Sequence, residues 1–217
     1  MPVLNEAGTI AATLHALAAC RRAGAELVLV DGGSDDATLP AATGLADQLL
    51  SAPRGRARQM NAGAARARAA VLLFLHADTV LPEGALAAID KAIDEGARWG
   101  RFDVSITGAS AMFPLIAALM NRRSRWSGIA TGDQAMFVRR DTFEQVGGFP
   151  DQPLMEDIEL SLRLRRIGRP ACLRPPVLTS GRRWERFGVW RTIWLMWRLR
   201  LLYWLGMPAE RLARAYR

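Results

Sequence analysis

Two carboxylates stand at or just beyond the ends of apolar runs of the chain, at places where a ligand could bind. Asp31 follows the run 28–30 and precedes two glycines, whereas Asp78 follows the run 71–75, with His76 two residues before it. In open α/β sheets, ligands bind outside the carboxyl ends of the strands, and glycines allow a ligand to approach the backbone closely. These residue types therefore predict recognition at one edge of a sheet.

A nucleotide diphosphate sugar fits these positions. In this interpretation Asp31 accepts an N–H of the base, and Asp78 holds Mg²⁺ or Mn²⁺ against the diphosphate, with His76 as a further metal ligand. A structural interpretation competes with it. Asp-Gly-Gly-Ser is also ordinary turn chemistry, Ser34 could cap the next helix, and His76 could bond a backbone group. The residues alone leave both interpretations open.

An arginine-rich and glycine-rich stretch, residues 54–63, lies between a predicted strand and a predicted helix. A phosphate at a helix N-terminus, held by guanidinium groups, is a natural occupant of such a stretch. Arg54, Arg58 and Asn61 are the candidates for this contact. Arg56 is interpreted as part of a solvated basic face.

The elements that position these residues alternate as β-α-β units, which predicts an α/β fold with a mostly parallel central sheet flanked by helices. Helices are predicted over Thr9–Arg22, Ala37–Gly44, Ala57–Ala69, Glu83–Glu95 and Met155–Ile167, and strands over Leu27–Val30, Gln48–Ser51, Ala70–Leu75, around Phe102–Ile106 and over Ala135–Val138. Glu156 and Asp157 fall in the first turn of the last helix, where the helix dipole favours carboxylates.

The formal net charge of +8 comes almost entirely from arginine, since Lys91 is the only lysine. Such a charge fits nucleic acid, anionic lipid or phosphorylated small molecules. We expect no nucleic-acid partner, because the sequence has no helix-turn-helix, zinc-finger or RNP-type signature. Cys20 and Cys172 are isolated, which indicates a reduced protein in the cytoplasm. The C-terminal helix described below adds a peripheral position on the inner face of the cell membrane as an alternative. We expect no signal peptide, and a chain that begins inside its first strand.

Taken together, the motifs resemble those of family 2 glycosyltransferases with the GT-A nucleotide-diphospho-sugar transferase fold, in particular a small bacterial subgroup. They are Pro-Val-Leu-Asn-Glu at 2–6, Val-Asp-Gly-Gly-Ser at 30–34, Gly-Arg-Ala-Arg-Gln-Met-Asn-Ala-Gly at 55–63, His-Ala-Asp at 76–78, Gly-Asp-Gln at 132–134 and Met-Glu-Asp at 155–157. The resemblance covers residues 1 to about 185.

The resemblance implies a role for each matching position. Asp157 matches the catalytic base, Asp78 the last aspartate of the metal-binding Asp-x-Asp, and Gly132, Asp133 and Gln134 the loop near the acceptor and the donor sugar. The nucleotide pocket would be lined by Pro2, Asn5, Glu6 and Asp31, and the remaining substrate-binding candidates are Gly33, Ser34, Arg54, Arg58, Asn61, Ala77 and Glu156. The implied reaction is an inverting sugar transfer from a nucleotide diphosphate sugar to an acceptor hydroxyl.

Two positions depart from the family pattern. His76 stands where Asp-x-Asp has its first aspartate, and Arg182-Arg183-Trp184 resembles only the end of the Gln-x-x-Arg-Trp motif of processive synthases, so we expect transfer of a single sugar.

Two other functions remain open. A nucleotidyltransferase would use Asp78 similarly, although its Gly-rich, Arg-containing loop is replaced by Asn5-Glu6-Ala7. A non-catalytic module that binds a nucleotide sugar or a membrane surface would not need Asp157.

The C-terminal segment 187–207 is almost wholly apolar and reads as an amphipathic helix, an appendage (186–217) to the domain 1–185. At 100° per residue, its four tryptophans share one face and three leucines lie roughly opposite. The leucine face would cover the domain. The tryptophan face would meet either a second copy of the chain or the membrane interface, where it could bring the enzyme to a lipid-linked acceptor.

Overall fold

The computed structural model describes residues 1–216. The strands are β1 (Pro2–Val3), β2 (Val28–Asp31), β3 (Gln48–Ser51), β4 (Val71–Phe74), β5 (Thr79–Val80), β6 (Trp99–Thr107), β7 (Met136–Arg139) and β8 (Ala171–Ser180). They form a sheet of order β1-β2-β3 and a second of order β4-β7-β6-β8-β5. The predictions of β2, β3, β4 and β7 are confirmed, because each of these strands lies within one residue of its predicted bounds.

The first sheet is parallel throughout, as predicted, and places Val3, Asp31 and Ser51 side by side at its carboxyl edge. The second sheet is mixed, a detail of the predicted α/β fold that the sequence pattern did not give. β7 runs antiparallel to β4 and β6, and β5 antiparallel to β8, while only β6 and β8 are parallel. A strand buried on both faces, such as β7, has an apolar pattern that does not encode its direction.

The helices are α1 (Ile10–Ala16), α2 (Ala18–Arg22), α3 (Thr38–Ala42), α4 (Arg56–Arg66), α5 (Ala85–Asp94), α6 (Phe113–Ser127), α7 (Arg140–Gln145), α8 (Glu156–Arg165), α9 (Arg182–Phe187), α10 (Val189–Trp204) and α11 (Ala209–Tyr216). The helix predicted over Thr9–Arg22 is divided at Leu17, whose side chain is buried in the core. The helix predicted over 187–207 begins only after Gly188, which has φ 83° and separates it from α9.

Close packing fixes the two helices that carry the polar motifs. A Cβ at Gly63 would lie 3.1 Å from Val30 Cγ2, so α4 approaches β2 more closely than a larger residue would allow. Leu160 and Leu164 of α8 lie in the same core cluster as Trp99. The indole Nε1 of Trp99 donates to the Gly168 carbonyl at 2.8 Å, just beyond the end of α8. The first turn of α8 is therefore held at a defined place.

The C-terminal helices pack back onto the domain. Leu199 and Leu212 are buried and form a cluster with Leu154 and Met155, the two residues that precede α8. Within residues 1–216, every helix is too short or too polar to cross a bilayer.

Candidate active site

A cleft of about 360 Å³ opens where β1, α4 and the loop after β4 meet. We call it the main cleft; it is lined by Pro2, Val3, Leu4, Glu6, Arg54, Gly55, Arg56, Gln59, His76, Ala77 and Asp78. Six of the residues singled out from the sequence therefore come together here: Pro2, Glu6, Arg54, His76, Ala77 and Asp78. A volume of this size falls within the range of small-ligand pockets.

Asp31 lies beside this region and organises the loop that follows β2. It is 2% exposed, and its carboxylate accepts hydrogen bonds from the backbone N–H groups of Gly33 and Ser34, both at 2.9 Å, and from the Ser34 hydroxyl. The Ser34 Oγ in turn accepts the Asn5 backbone N–H at 2.9 Å, which joins the loops after β1 and β2. A carboxylate accepts about four hydrogen bonds, so Asp31 retains capacity for one more donor.

Gln59 was not singled out from the sequence, although it holds the same edge together. Its side chain is buried, and Nε2 donates to the carbonyls of Val3 at 2.8 Å and Val30 at 2.9 Å, near the ends of β1 and β2. Gln59 lies three residues after Arg56 and therefore on the same face of α4, but the sequence interpretation of Arg56 as solvated concealed this signal.

Asp78 reaches the cleft with an arginine beside it. Arg182 Nη2 lies 3.6 Å from Asp78 Oδ2 and 3.6 Å from Glu6 Oε1. Burial raises the pKa of Asp78, and the charge of Glu6 adds to that effect while Arg182 opposes it. Arg182 begins α9, about a hundred residues after Asp78 in the chain. The sequence analysis named it only as part of Arg182-Arg183-Trp184 and did not predict this contact.

Glu156 and Asp157 open α8, and both carboxyl groups are engaged. Arg56 Nε lies 2.9 Å from Oε1 of Glu156, whose side chain is 3% exposed. The Gly132 backbone N–H donates to Asp157 Oδ2 at 2.8 Å. Burial raises the pKa of both carboxyl groups, and the charge of Arg56 opposes the shift in each. The pair therefore combines one carboxylate fixed by an arginine with one held by a backbone amide.

Gly132–Gln134 form a short 3-10 turn that faces these groups. Gln134 is fully buried, and its Oε1 accepts hydrogen bonds from the Thr131 backbone at 3.2 Å and hydroxyl at 3.3 Å. A Cβ at position 132 would collide with the imidazole of His76, so that glycine is needed for the contact. Asp133 is half-buried on the turn.

His76 connects this turn with the main cleft. It also lines a small side cavity, of about 10 Å³, together with Gly132, Glu156 and Asp157. Burial lowers the pKa of His76 to about 3, and the charge of Arg56 contributes. The imidazole is therefore neutral at physiological pH.

The arginine-rich stretch is arranged differently from the sequence interpretation. Arg56, interpreted as solvated, pairs with Glu156, whereas Arg58 pairs with Asp151 at 2.7 Å on the surface. Asn61 bonds both backbone groups of Phe149, at 2.8 and 3.0 Å. Residues 56 and 58 are about 200° apart around a helix, so they cannot both face the cleft.

Arg123 of α6 is a further residue that the sequence did not single out. Among the described residues its Nη2 is buried and has no hydrogen-bond partner. Burial lowers its pKa, while the charges of Asp133 and Asp157 act in the opposite direction. Arg123 thus places a second guanidinium close enough for its charge to interact with those of Asp133 and Asp157.

No cluster of three His, Cys, Asp or Glu side chains at metal-binding positions occurs within residues 1–216. Asp78 nevertheless suits a metal that takes most of its ligands from substrate phosphates and water, because Mg²⁺ is often bound by one or two carboxylates only. The neutral imidazole of His76 is the form that binds metals.

Comparison with known proteins decides the family. Residues 1–147 match the family described as Glycosyl transferase family 2, which is more than half of the chain. The chain belongs to this family. A search of curated proteins finds no match for it.

Solved structures of other proteins share the GT-A-like α/β fold, as predicted. S. aureus TarS superimposes with TM-score 0.64 at 17% identity, over 83% of this chain and 59% of that one. A mannosyltransferase from Pyrobaculum calidifontis, solved with GDP-Man and Mn²⁺, superimposes with TM-score 0.61 at 23% identity, over 82% of this chain and 54% of that one. Glucosyl-3-phosphoglycerate synthase from Mycobacterium tuberculosis, solved with Mn²⁺ and UDP-glucose, has a TM-score of 0.59 at 18% identity, over 82% of this chain and 67% of that one. This family 2 chain thus spans little more than half the length of the first two.

Proposed function

We propose that the protein transfers a sugar from a nucleotide diphosphate sugar to an acceptor hydroxyl, with inversion at the anomeric carbon and Asp157 as the base. The observation that carries this proposal is the position of His76. It lines both the main cleft and the side cavity that contains Asp157. A ligand in the main cleft would therefore have its reactive end next to the candidate base.

Asp157 has the properties that proton removal requires. The Gly132 N–H holds one carboxylate oxygen at 2.8 Å, and the first turn of a helix stabilises the negative charge. A positioned carboxylate that takes the hydroxyl proton during attack on the anomeric carbon contributes roughly 10²–10⁴-fold to such a reaction. One base suffices for a single displacement, which inverts the configuration.

The leaving diphosphate would be bound by arginines and by the start of α4. Arg54 and Arg56 stand at the N-terminus of that helix and line the main cleft, and Arg182 lies 3.6 Å from Asp78. Guanidinium groups and helix N-termini both stabilise phosphate oxygens. We assign a divalent cation, Mn²⁺ or Mg²⁺, to Asp78, with His76 as the second candidate ligand; when bound, it would neutralise charge on the diphosphate.

The donor class is supported by what similar structures contain. The mannosyltransferase was solved with GDP-Man, TarS with UDP, and the synthase with UDP-glucose. For this chain we propose a nucleotide diphosphate sugar, with its base beside Asp31, where one acceptor position is available. The acceptor is proposed only as a hydroxyl compound, lipid-linked or soluble.

The first test is titration of UDP and GDP into the protein by calorimetry, with and without Mn²⁺, using Asp78→Ala for comparison. We expect one nucleotide to bind in a metal-dependent way, and Asp78→Ala to abolish that dependence. Absence of binding by either nucleotide would contradict a UDP or GDP donor.

The second test separates the three candidate functions by their products. Sugar transfer or slow donor hydrolysis releases a nucleoside diphosphate, whereas a nucleotidyltransferase forms pyrophosphate from a nucleoside triphosphate and a sugar phosphate. A non-catalytic module would bind the donor and release neither product. Loss of nucleoside diphosphate release in Asp157→Asn, with donor binding retained, is the result expected for the proposed reaction.

A further inference from the structure

Helix α10 exposes a stripe of tryptophans along its full length. Trp190, Trp194, Trp197 and Trp204 are 72%, 63%, 75% and 81% exposed, and Leu201 between them is 57% exposed. At 100° per residue these five residues fall within an arc of about 80°. On the opposite side of the helix, Leu199 is buried against the domain. The leucine face predicted to cover the domain is confirmed, and the tryptophan face is uncovered.

A second exposed apolar stripe runs along α6. Leu115, Leu119 and Trp126 are 52%, 58% and 84% exposed, and their spacing of four and seven residues puts them on one face of the helix. Both helices pack into one hydrophobic cluster, α6 with Phe113, Ile116 and Ala117 and α10 with Val189 and Ile193. The two stripes therefore belong to neighbouring helices. We call the stripe of α10 the tryptophan surface.

Positive charge is concentrated in the same part of the chain. Residues 181–217 contain nine arginines and two glutamates, which is +7 of the formal net charge of +8. Helix α10 itself carries Arg191, Arg198 and Arg200 and no acidic residue. The guanidinium of Arg198 lies 5.3 Å from the centre of the Trp194 ring, so charge and indole occupy adjoining positions.

We propose that the tryptophan surface docks onto an anionic lipid membrane, with α10 lying along the interface. Indoles prefer the level of the lipid headgroups, where the ring contacts acyl chains and the N–H remains near water. Arginines beside them attract anionic headgroups. This proposal does not rest on the transfer reaction.

A second copy of the chain is a poorer occupant of this surface. In a two-fold symmetric contact, the same surface patch of both copies is used. Contact through α10 would bring together two helices that each carry three arginines and no carboxylate, and like charges across an interface oppose association.

The test is co-sedimentation of the protein with vesicles of phosphatidylcholine alone and of phosphatidylcholine mixed with phosphatidylglycerol. We expect binding to the mixed vesicles, with a blue shift of tryptophan emission, and release at high salt. Replacement of Trp194 and Trp197 together by alanine should weaken binding on the order of tenfold or more. Leu49→Ala, which changes an exposed apolar residue on β3, is the matched control.

The charge contribution is tested with a second matched pair. Arg198→Gln should weaken binding to the mixed vesicles more than Arg22→Gln, which removes an exposed arginine from α2. No binding to the mixed vesicles would overturn the proposal. So would binding that Trp194→Ala/Trp197→Ala leaves unchanged, or a dimer in sedimentation equilibrium that this double variant dissociates without any vesicle binding. None of these readouts needs a donor, so they are independent of sugar transfer.

Discussion

Arg56 Nε lies 2.9 Å from Oε1 of Glu156, while Oε2 of the same carboxylate is buried and has no hydrogen-bond partner among residues 1–216. One arginine of the stretch 54–63 therefore joins α4 to α8, where the candidate base stands. Its charge also acts on Asp157. The pair connects the proposed phosphate-binding end of the cleft with the candidate base.

Replacing Arg56 by alanine should affect stability and activity. Glu156 would be left buried without its partner, which costs about 1–3 kcal/mol of the free energy of unfolding. Donor binding should weaken as well, because one guanidinium of the cleft is lost. Urea unfolding and nucleotide titration measure the two effects. Arg58→Ala, which breaks only the surface pair with Asp151, is the control and should leave nucleotide binding unchanged.

A double variant separates these effects of Arg56. Glu156→Gln removes the buried charge, so Arg56→Ala/Glu156→Gln should recover part of the lost stability and none of the lost nucleotide affinity. Recovery of both would mean that Arg56 acts only through the fold.

Asp157→Asn should lower kcat by roughly 10²–10⁴-fold, because the amide cannot take up the acceptor proton. Nucleotide affinity should change little, since the amide oxygen can still accept the Gly132 N–H, although the Ile158 N–H, which the carboxylate also accepts at 2.7 Å, loses its partner. Steady-state kinetics and nucleotide titration check the two parts. Asp133→Asn, on the adjacent turn, serves for comparison, and an equally large loss of kcat there would argue against Asp157 as the only base.

The same variant should gain stability relative to the parent protein as the pH rises. Burial raises the pKa of Asp157 in the folded protein, so the folded state binds a proton more tightly than the unfolded state does. The carboxyl therefore favours folding below its unfolded pKa, about 4, and this contribution is lost as pH rises through the folded pKa. Thermal unfolding of both proteins from pH 4 to 8 should show Asp157→Asn gaining relative stability as the pH rises.

The raised pKa also predicts the acid limb of the activity profile. The base must be ionised, so kcat/KM should fall as pH decreases through a value above the ordinary range of an aspartate. Arg56→Ala removes a charge that opposes the shift, and should move this limb to higher pH. A limb that stays in place in Arg56→Ala would contradict the electrostatic link between the two residues.

Asp78→Ala should remove the effect of Mn²⁺ on nucleotide affinity, because no other carboxylate of the main cleft follows β4 directly. Treatment of the parent protein with EDTA should give the same affinity as the variant. Asp90→Ala, an exposed position on α5, should retain the metal effect. Retention of that effect in Asp78→Ala would move the metal to another ligand.

Gly132→Ala tests the contact between the 3-10 turn and His76. The added Cβ would collide with the imidazole, and overpacking of this kind costs about 1–3 kcal/mol. We expect a lower midpoint of thermal unfolding and a lower kcat, because the same turn holds Asp157. A Cβ at Gly168 meets no atom within 4 Å, so Gly168→Ala should leave kcat unchanged.

Features that depend on local periodicity were predictable from the sequence. The run 28–30 gives the buried strand that ends at Asp31, and the spacing of the tryptophans gives the exposed face of α10. Residues within one motif were also placed correctly relative to one another, as His76, Ala77 and Asp78 show in the main cleft.

Contacts between distant segments were not predictable in this way. That Arg56 and not Arg58 faces the cleft depends on α4 beginning at Arg56, and Arg182 reaches Asp78 from another part of the chain. Asp31 illustrates a different difficulty, because the same carboxylate can organise a turn and accept a ligand.

The packing of Leu199 and Leu212 against Leu154 and Met155 has a practical meaning for work with shortened chains. A chain cut at residue 185 would lose the apolar cover of the two residues that lead into Glu156 and Asp157. We expect such a fragment to have low activity even with a soluble acceptor and no membrane, because the start of α8 loses its packing. Low activity of the fragment would therefore not show that the tail binds a membrane, whereas point substitutions on the exposed face of α10 leave this packing intact.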